Sequence, residues 1–486
     1  MPRLPLQQHT VAARVAAPAG LPRAIGLVAY LAVAALGFVV PVPDGITAAG
    51  WRVLFVFVAT ILGFILRPMG MGPLVLVSLV LVGITHSLSF PRLLLGFGDD
   101  TVWLVIAAFV LSGAVERSGF GRRIALTLVE KIGRSMLGLG YAIAGADLVL
   151  APVVPSNTAR GGGILAPTVR ALAGALGSTP DREPDRAGSF LVTVGAHSCL
   201  ITGAMFLTGM AANVLVSRAA SDVYAIDFGW AQWSLGALVP GLVALAALPL
   251  IAHRLLPPTI EDAGAARESA RAALREMGPW SRDQKIVGGV LAALLVLWAT
   301  SSFHGYASAL VAWVGIVVFL LSQVLGWDDV VGNTGAWDIM LWLGGLLALA
   351  TALREEGVID VFADRIGSSV GGLSGVVVAL TLCVVYFFSM YAFSMLTAHI
   401  TAFAGAFFVI ALAAGSPPLL MVPLFAYFSN LCGATTNYST GPVIIYFGLG
   451  YVTPRRWLRV ALVISLFHVA LWCSLGLLWW KVLGWW

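Results

Sequence analysis

Charge is what this chain has least of. Asp, Glu, Lys and Arg make up 10% of its 486 residues, while apolar residues make up 59%. A soluble protein of that size could not cover its surface with so few polar groups, so the composition excludes an ordinary soluble protein and requires a polytopic membrane protein. Lysine is confined to positions 131, 285 and 481. The basic excess, 28 Lys and Arg against 23 Asp and Glu, lies in short segments between apolar spans. That placement reads as topology signals and not as a nucleic-acid surface. The cysteines, Cys199, Cys383, Cys432 and Cys473, are far apart and embedded in apolar stretches. They form neither a disulfide framework nor a zinc spacing, and packing is their expected role. No phosphate-binding loop is present, so ATP-driven pumping on this chain is not expected, nor is a cofactor or metal. His197 and Ser198 lack a nucleophile elbow or a positioned acid, which argues against an intramembrane enzyme.

What is present is a series of apolar windows near 20 residues long, at about 24–42, 50–66, 72–90, 101–116, 189–215, 233–256, 285–302, 307–325, 337–353, 418–447 and 457–483. Two further apolar stretches, about 138–176 and 373–413, are each interrupted by a polar tip. If each interrupted stretch enters and leaves on one side, the fold is an all-α polytopic membrane protein with about eleven spans and two re-entrant helical hairpins. Such hairpins must be shielded by protein or line a cavity, because unpaired backbone cannot face lipid.

Charge placement supports this layout with the amino terminus cytoplasmic. The outer segments collect Arg52, Arg92, Arg218, Arg354, Arg365 and Lys481, Arg160 stays within the membrane, and every other cation falls inside. The stretch Asp99 to Gly133 resembles Asp338 to Gly367, and each hairpin is followed by a helix broken by Gly and polar residues. This is the inverted-repeat pattern of a secondary transporter with a midplane site. The expected divisions are a cytoplasmic tail (1–23), first-repeat scaffold (24–134) and transport part (135–256), an amphipathic linker (257–284), and second-repeat scaffold (285–372) and transport part (373–486). The tail runs directly into the first span, as a membrane-protein terminus does; a short transit peptide is the alternative. Trp479, Trp480, Trp485 and Trp486 read as interfacial anchors.

The tips carry the chemistry. Ser156-Asn157-Thr158-Ala159-Arg160 and Met395-Leu396-Thr397-Ala398-His399 both place Thr-Ala-cation inside apolar sequence. A charge at bilayer depth costs roughly 2.5–3.5 kcal/mol even on lenient scales, which makes each a functional-site hypothesis. Helix amino termini at a hairpin tip present free N–H groups and partial positive charge. Ser156, Asn157, Thr158 and Thr397, faced by Thr208, Asn213, Thr435, Thr436 and Asn437 from the broken helices, suit an extended anion with two carboxylates.

These motifs, together with Asn430-Leu431-Cys432-Gly433-Ala434-Thr435-Thr436-Asn437, resemble the divalent anion/sodium symporter family, most closely its 2-oxoglutarate/malate translocator and citrate/succinate antiporter branch. The resemblance runs from about residue 24 onward. It implies a homodimer in a bacterial inner membrane, or alternatively a plastid inner envelope, moving di- or tricarboxylates by an elevator motion. Met395-Leu396-Thr397 stands where the family's sodium symporters carry a second Ser-Asn-Thr, so a sodium site of their kind is doubtful. Arg160 and His399 then read as fixed cations replacing sodium. A guanidinium cannot dissociate, so the empty carrier would keep a buried charge and return only when loaded. Sodium-independent exchange is therefore expected, with cation-coupled symport as the alternative and an inorganic oxyanion carrier third.

Overall fold

The computed structural model describes residues 23–358, 361 and 374–486, and among these it is helical throughout with no strand. The expectations that concern Arg3, Arg14, Arg365 and Gly367 lie outside the described residues.

The first helices are α1 (Arg23–Val39), α2 (Ala48–Leu66), α3 (Met71–Ile84), α4 (Asp100–Ser118) and α5 (Phe120–Ile132). Local chemistry sets their ends. Thr47 and Asp99 accept from the first-turn N–H groups of α2 and α4, and α4 stops at Gly119, whose φ of 69° only glycine adopts freely. The first hairpin runs from α6 (Met136–Leu150) through a tip to a wide π-helical turn (Thr158–Leu165) that continues into α7 (Ala166–Ala175). Next comes α8 (Gly188–Met205), a break at 206–212, and α9 (Asn213–Tyr224), followed by α10 (Trp230–Leu255).

An amphipathic helix α11 (Gly264–Met277) joins the halves; it packs on α5, where Arg271 pairs with Glu130. The second half holds α12 (Arg282–Ala299), opened by a Ser281/Gln284 capping box, then α13 (Ser308–Leu321) and α14 (Thr334–Glu355). The second hairpin is α15 (Gly375–Ser389) and α16 (Leu396–Ala413). The second broken helix is α17 (Pro418–Leu431), a break at 432–440, and α18 (Gly441–Gly448), after which α19 (Pro454–Leu471) passes through a π turn to Val482.

Nine helices among the described residues are long and apolar enough to cross a membrane, and α1, α3, α6 and α13 are shorter apolar helices. Both arms of the second hairpin are among the nine. The helices leading into the two breaks are the most enclosed: α8 is 100% buried and the α17 segment 89%. Each broken strut therefore runs through protein, where its unpaired backbone groups find partners away from lipid.

Three of the terminal tryptophans make specific contacts elsewhere in the bundle. Trp480 is fully buried and donates to Gly236 O, Trp479 donates to Leu235 O, and Trp485 packs edge-on against Phe228. An indole that finds a backbone acceptor on α10 can be buried outright, so these residues fasten the last helix to the bundle.

Candidate functional site

Tip 1 starts as a capped helix, with Ser156 Oγ accepting from Ala159 N at 3.1 Å. Three glycines follow Arg160, and the first permits close packing: a Cβ on Gly161 would stand 2.8 Å from Cys199 Sγ and 3.2 Å from Pro442. Tip 1 is thereby clamped between α8 of the first repeat and α18 of the second.

Arg160 is completely buried in that clamp. Its Nε donates to Asp147 Oδ1 at 3.0 Å. Nη1 donates to Val154 O at 2.7 Å and Gly209 O at 2.9 Å. Nη2 donates to Asn157 Oδ1 at 3.0 Å and Cys199 O at 3.2 Å, and lies 3.3 Å from Thr202 Oγ1. Asp147 Oδ2 is taken by the Thr202 hydroxyl. All five guanidinium N–H groups have oxygen acceptors, so none remains for a substrate carboxylate. The oxygens come from α6, tip 1, α8 and the first break, and they surround the cation as ligands surround a metal.

This geometry corrects the expectation of an uncompensated fixed cation. Asp147 is itself fully buried and cancels the charge of Arg160. Asp147 was missed, although an acid in the otherwise apolar α6 carries the same signal that singled out Arg160. Cys199 and Thr202 carried no such signal, because only the passage of α8 beside the tip makes them partners.

His399 is also fully buried, but its surroundings are aromatic. It stacks on Tyr386 at 4.1 Å between centroids, with Phe393 at 4.8 Å and Phe403 at 5.3 Å edge-on. Ser389 Oγ donates to Tyr386 O, which leaves its lone pairs to accept from His399 Nε2 at 2.8 Å. Nδ1 faces Cys432 Sγ at 3.8 Å. A neutral imidazole satisfies each contact, and no carboxylate among the described residues pairs with it. The expectation of a second fixed charge is corrected accordingly: an apolar box without a counterion favours the uncharged ring.

The remaining predicted residues divide into two groups. Asn213, Thr435 and Thr436 are fully buried and engaged. Asn213 donates to Gly203 O and Phe206 O, Thr435 Oγ1 to Cys432 O, and Thr436 Oγ1 receives Tyr438 N at 3.4 Å. Thr208 binds Pro152 O and Trp230 Nε1. These groups hold the breaks in shape. Thr158, Thr397 and Asn437 are partly or fully exposed and make no side-chain hydrogen bond among the described residues. Thr158 lies against Gly441, leaving no room for a side chain there, so tip 1 of the first repeat meets the second break. Among the described residues nothing joins Arg160 to His399; each tip has its own cage.

Beside the first hairpin a cleft of about 850 Å³ is lined by Arg117, Arg122, Gly163, Thr168 and Ser269. Glu116 lines it too, and Arg117 is paired with Asp329, so the cleft carries both signs of charge.

Paired hairpin tips facing two broken helices in an all-helical membrane bundle define a secondary-transport fold. The Alcanivorax borkumensis YdaH transporter shares it, with a TM-score of 0.59 at 14% identity over 80% of this chain and 87% of that one. Residues 22–486 match the family described as sodium:sulfate symporter transmembrane region, and the chain belongs to that family. It is 41% identical over 472 residues to the Bacillus subtilis protein named "Putative malate transporter YflS", covering 96% of this chain and 99% of that protein. It is 35% identical to chloroplastic dicarboxylate transporter 1 of Arabidopsis thaliana, over 95% of this chain and 83% of that one. The L-tartrate/succinate antiporter of Shigella boydii is 33% identical, over 93% and 97%.

Proposed function

We propose that the protein exchanges di- and tricarboxylates of the malate, succinate, 2-oxoglutarate and citrate class across a bacterial inner membrane without sodium. The observation that carries this reading is the closed oxygen cage around Arg160. A sodium ion in such a cage binds and leaves with the substrate, whereas a guanidinium tethered to the chain stays protonated and cannot leave. Tip 1 is thus held in one shape in every state of the cycle. The names of the relatives, a malate transporter, a dicarboxylate transporter and a tartrate/succinate antiporter, support the cargo class and the exchange mode.

Thr158, Thr397 and Asn437, with free hydroxyl and amide groups, are the proposed carboxylate donors; Ser156, Asn157, Asn213, Thr435 and Thr436 shape and orient the backbone around them. Asp147 removes the electrostatic reason for the empty carrier to stay put, because the Arg160 pair is neutral. Preference for the loaded form rests instead on the donors that an anion satisfies at the tips. In the same reading the protein is a homodimer in the bilayer, and the hairpin-bearing parts move against the remaining helices.

Counterflow of labelled malate in proteoliposomes tests the proposal. External dicarboxylate should accelerate loss of internal label equally in sodium and in choline buffer, and Thr158→Val or Asn437→Ala should raise KM for exchange about tenfold or more. Uptake driven by a sodium gradient alone would refute it.

A further inference from the structure

Of the ion pairs among the described residues, two join the hairpin-and-break parts (135–256 and 373–486) to helices outside them, and both belong to one row of charges. Arg218 Nη1 lies 3.2 Å from Asp99 Oδ2, Arg218 Nε 3.4 Å from Asp222 Oδ1, and Arg354 Nη1 3.1 Å from the same Asp222 oxygen. Acid and base alternate along the row. Arg218 and Asp222 stand one turn apart on α9, which packs on α16, α17 and the first break. Asp99 opens α4, and Arg354 lies in the last turn of α14. The row therefore ties α9, from the parts that carry the tips, to two helices that do not.

Close packing is interrupted at this junction. Arg218 lines a cavity of about 590 Å³ together with Thr101 and Ser308. It also lines an apolar one of about 310 Å³ together with Leu54, Leu346 and Gly405. A Cβ on Gly405 would meet nothing within 4 Å.

The charges suit a contact that opens again. The side chains of Arg218 and Arg354 are 29% and 42% exposed, so water reaches the bases and the row escapes the large cost of breaking a fully buried pair. When the row parts, α9 keeps Arg218 beside Asp222 and carries no net charge away from them. The Asp147–Arg160 pair is the contrast: it is wholly buried, and both partners belong to one hairpin.

We propose that Asp99, Arg218, Asp222 and Arg354 act as a reversible catch, which holds the tip-bearing parts in the position seen here and so sets the balance between the two access states of the exchanger. The inference rests on the exchange reading above and on the movement of those parts. The four are positioning residues, since none lies at a tip. A catch stabilises one access state against the other, so loosening it makes substrate bind more readily from one face and less readily from the opposite one.

The test is malate exchange by the full-length protein in right-side-out and in inverted membrane vesicles, which read KM from either face. Asp99→Asn removes a charge but keeps the cap of α4, because Asn caps a helix as well as Asp does. Arg354→Gln removes the charge at the other end of the row. Each should lower KM on one face and raise it on the other by about two- to fivefold, the range of a partly exposed ion pair. The favoured face should be the same in both variants, and Arg354→Lys should restore much of the wild-type ratio. Unchanged KM on both faces with a fall in thermal stability assigns the row to structure and overturns the catch, as does any other pattern of shifts. Absence of malate exchange in the wild type overturns the transport reading, and the catch with it; wild-type exchange therefore tells the two failures apart.

Discussion

Asp147 and Arg160 stand thirteen residues apart on the two sides of tip 1 and form a buried ion pair. Tyr386 and His399 stand at the same spacing about tip 2 and stack ring on ring. The two repeats thus place the same two positions in contact and fill them with different chemistry: a neutralised charge in one, an aromatic box in the other. Each tip residue is braced by the incoming arm of its own hairpin.

The ionic brace should behave as a coupled unit. Breaking a buried pair from one side leaves an uncompensated charge and costs about 3–5 kcal/mol, whereas removing both charges costs much less. Asp147→Asn and Arg160→Gln should each lower the thermal midpoint in detergent markedly, and the double variant should recover part of the loss. Additive losses in the double variant would show that the pair is not coupled.

The aromatic brace should be indifferent to pH. His399→Gln keeps a donor for Ser389 and loses the ring, so exchange measured between about pH 5 and 8 should keep its profile while stability falls by about 1 kcal/mol from lost stacking. A profile that shifts on substitution would show that the ring gains and loses a proton during transport.

A third brace lies away from the tips, at helix ends near Thr47, Arg92 and Glu356. The Thr47 hydroxyl and the Arg92 guanidinium both donate to the Glu356 carboxylate and hold it below the usual glutamate range, and the same carboxylate holds Arg92 above its own. A depressed carboxylate stabilises the fold above its unfolded pKa and loses that contribution as pH falls through the folded one. Glu356→Gln should therefore cost up to about 1 kcal/mol at neutral pH, and wild type and variant should converge in thermal unfolding as the buffer is taken below about pH 4. A gap that persists in acid would assign Glu356 to packing.

Much of the architecture was legible in the chain itself. Hydropathy placed the helices, the Gly-rich interruptions placed both breaks, and Thr-Ala-cation placed both tips, because each of these is a property of neighbouring residues and of what a bilayer tolerates. The partners of the tip residues were not legible in the same way. Thirteen residues matches neither a helical nor a strand repeat, so nothing local links Asp147 to Arg160; the hairpin must first fold back on itself. Asn430 sat in plain view within Asn430-Leu431-Cys432-Gly433, yet its orientation follows from Asn213, far away in sequence.

Sequence alone determined that this is a membrane transporter with two tips carrying potential cations, since burying apolar surface and exposing backbone to lipid leave few other solutions. Tertiary structure decided what those cations are worth. Net charge in a low-dielectric interior depends on which acid lies within about 4 Å, and that distance is set by how helices pack, never by their order along the chain.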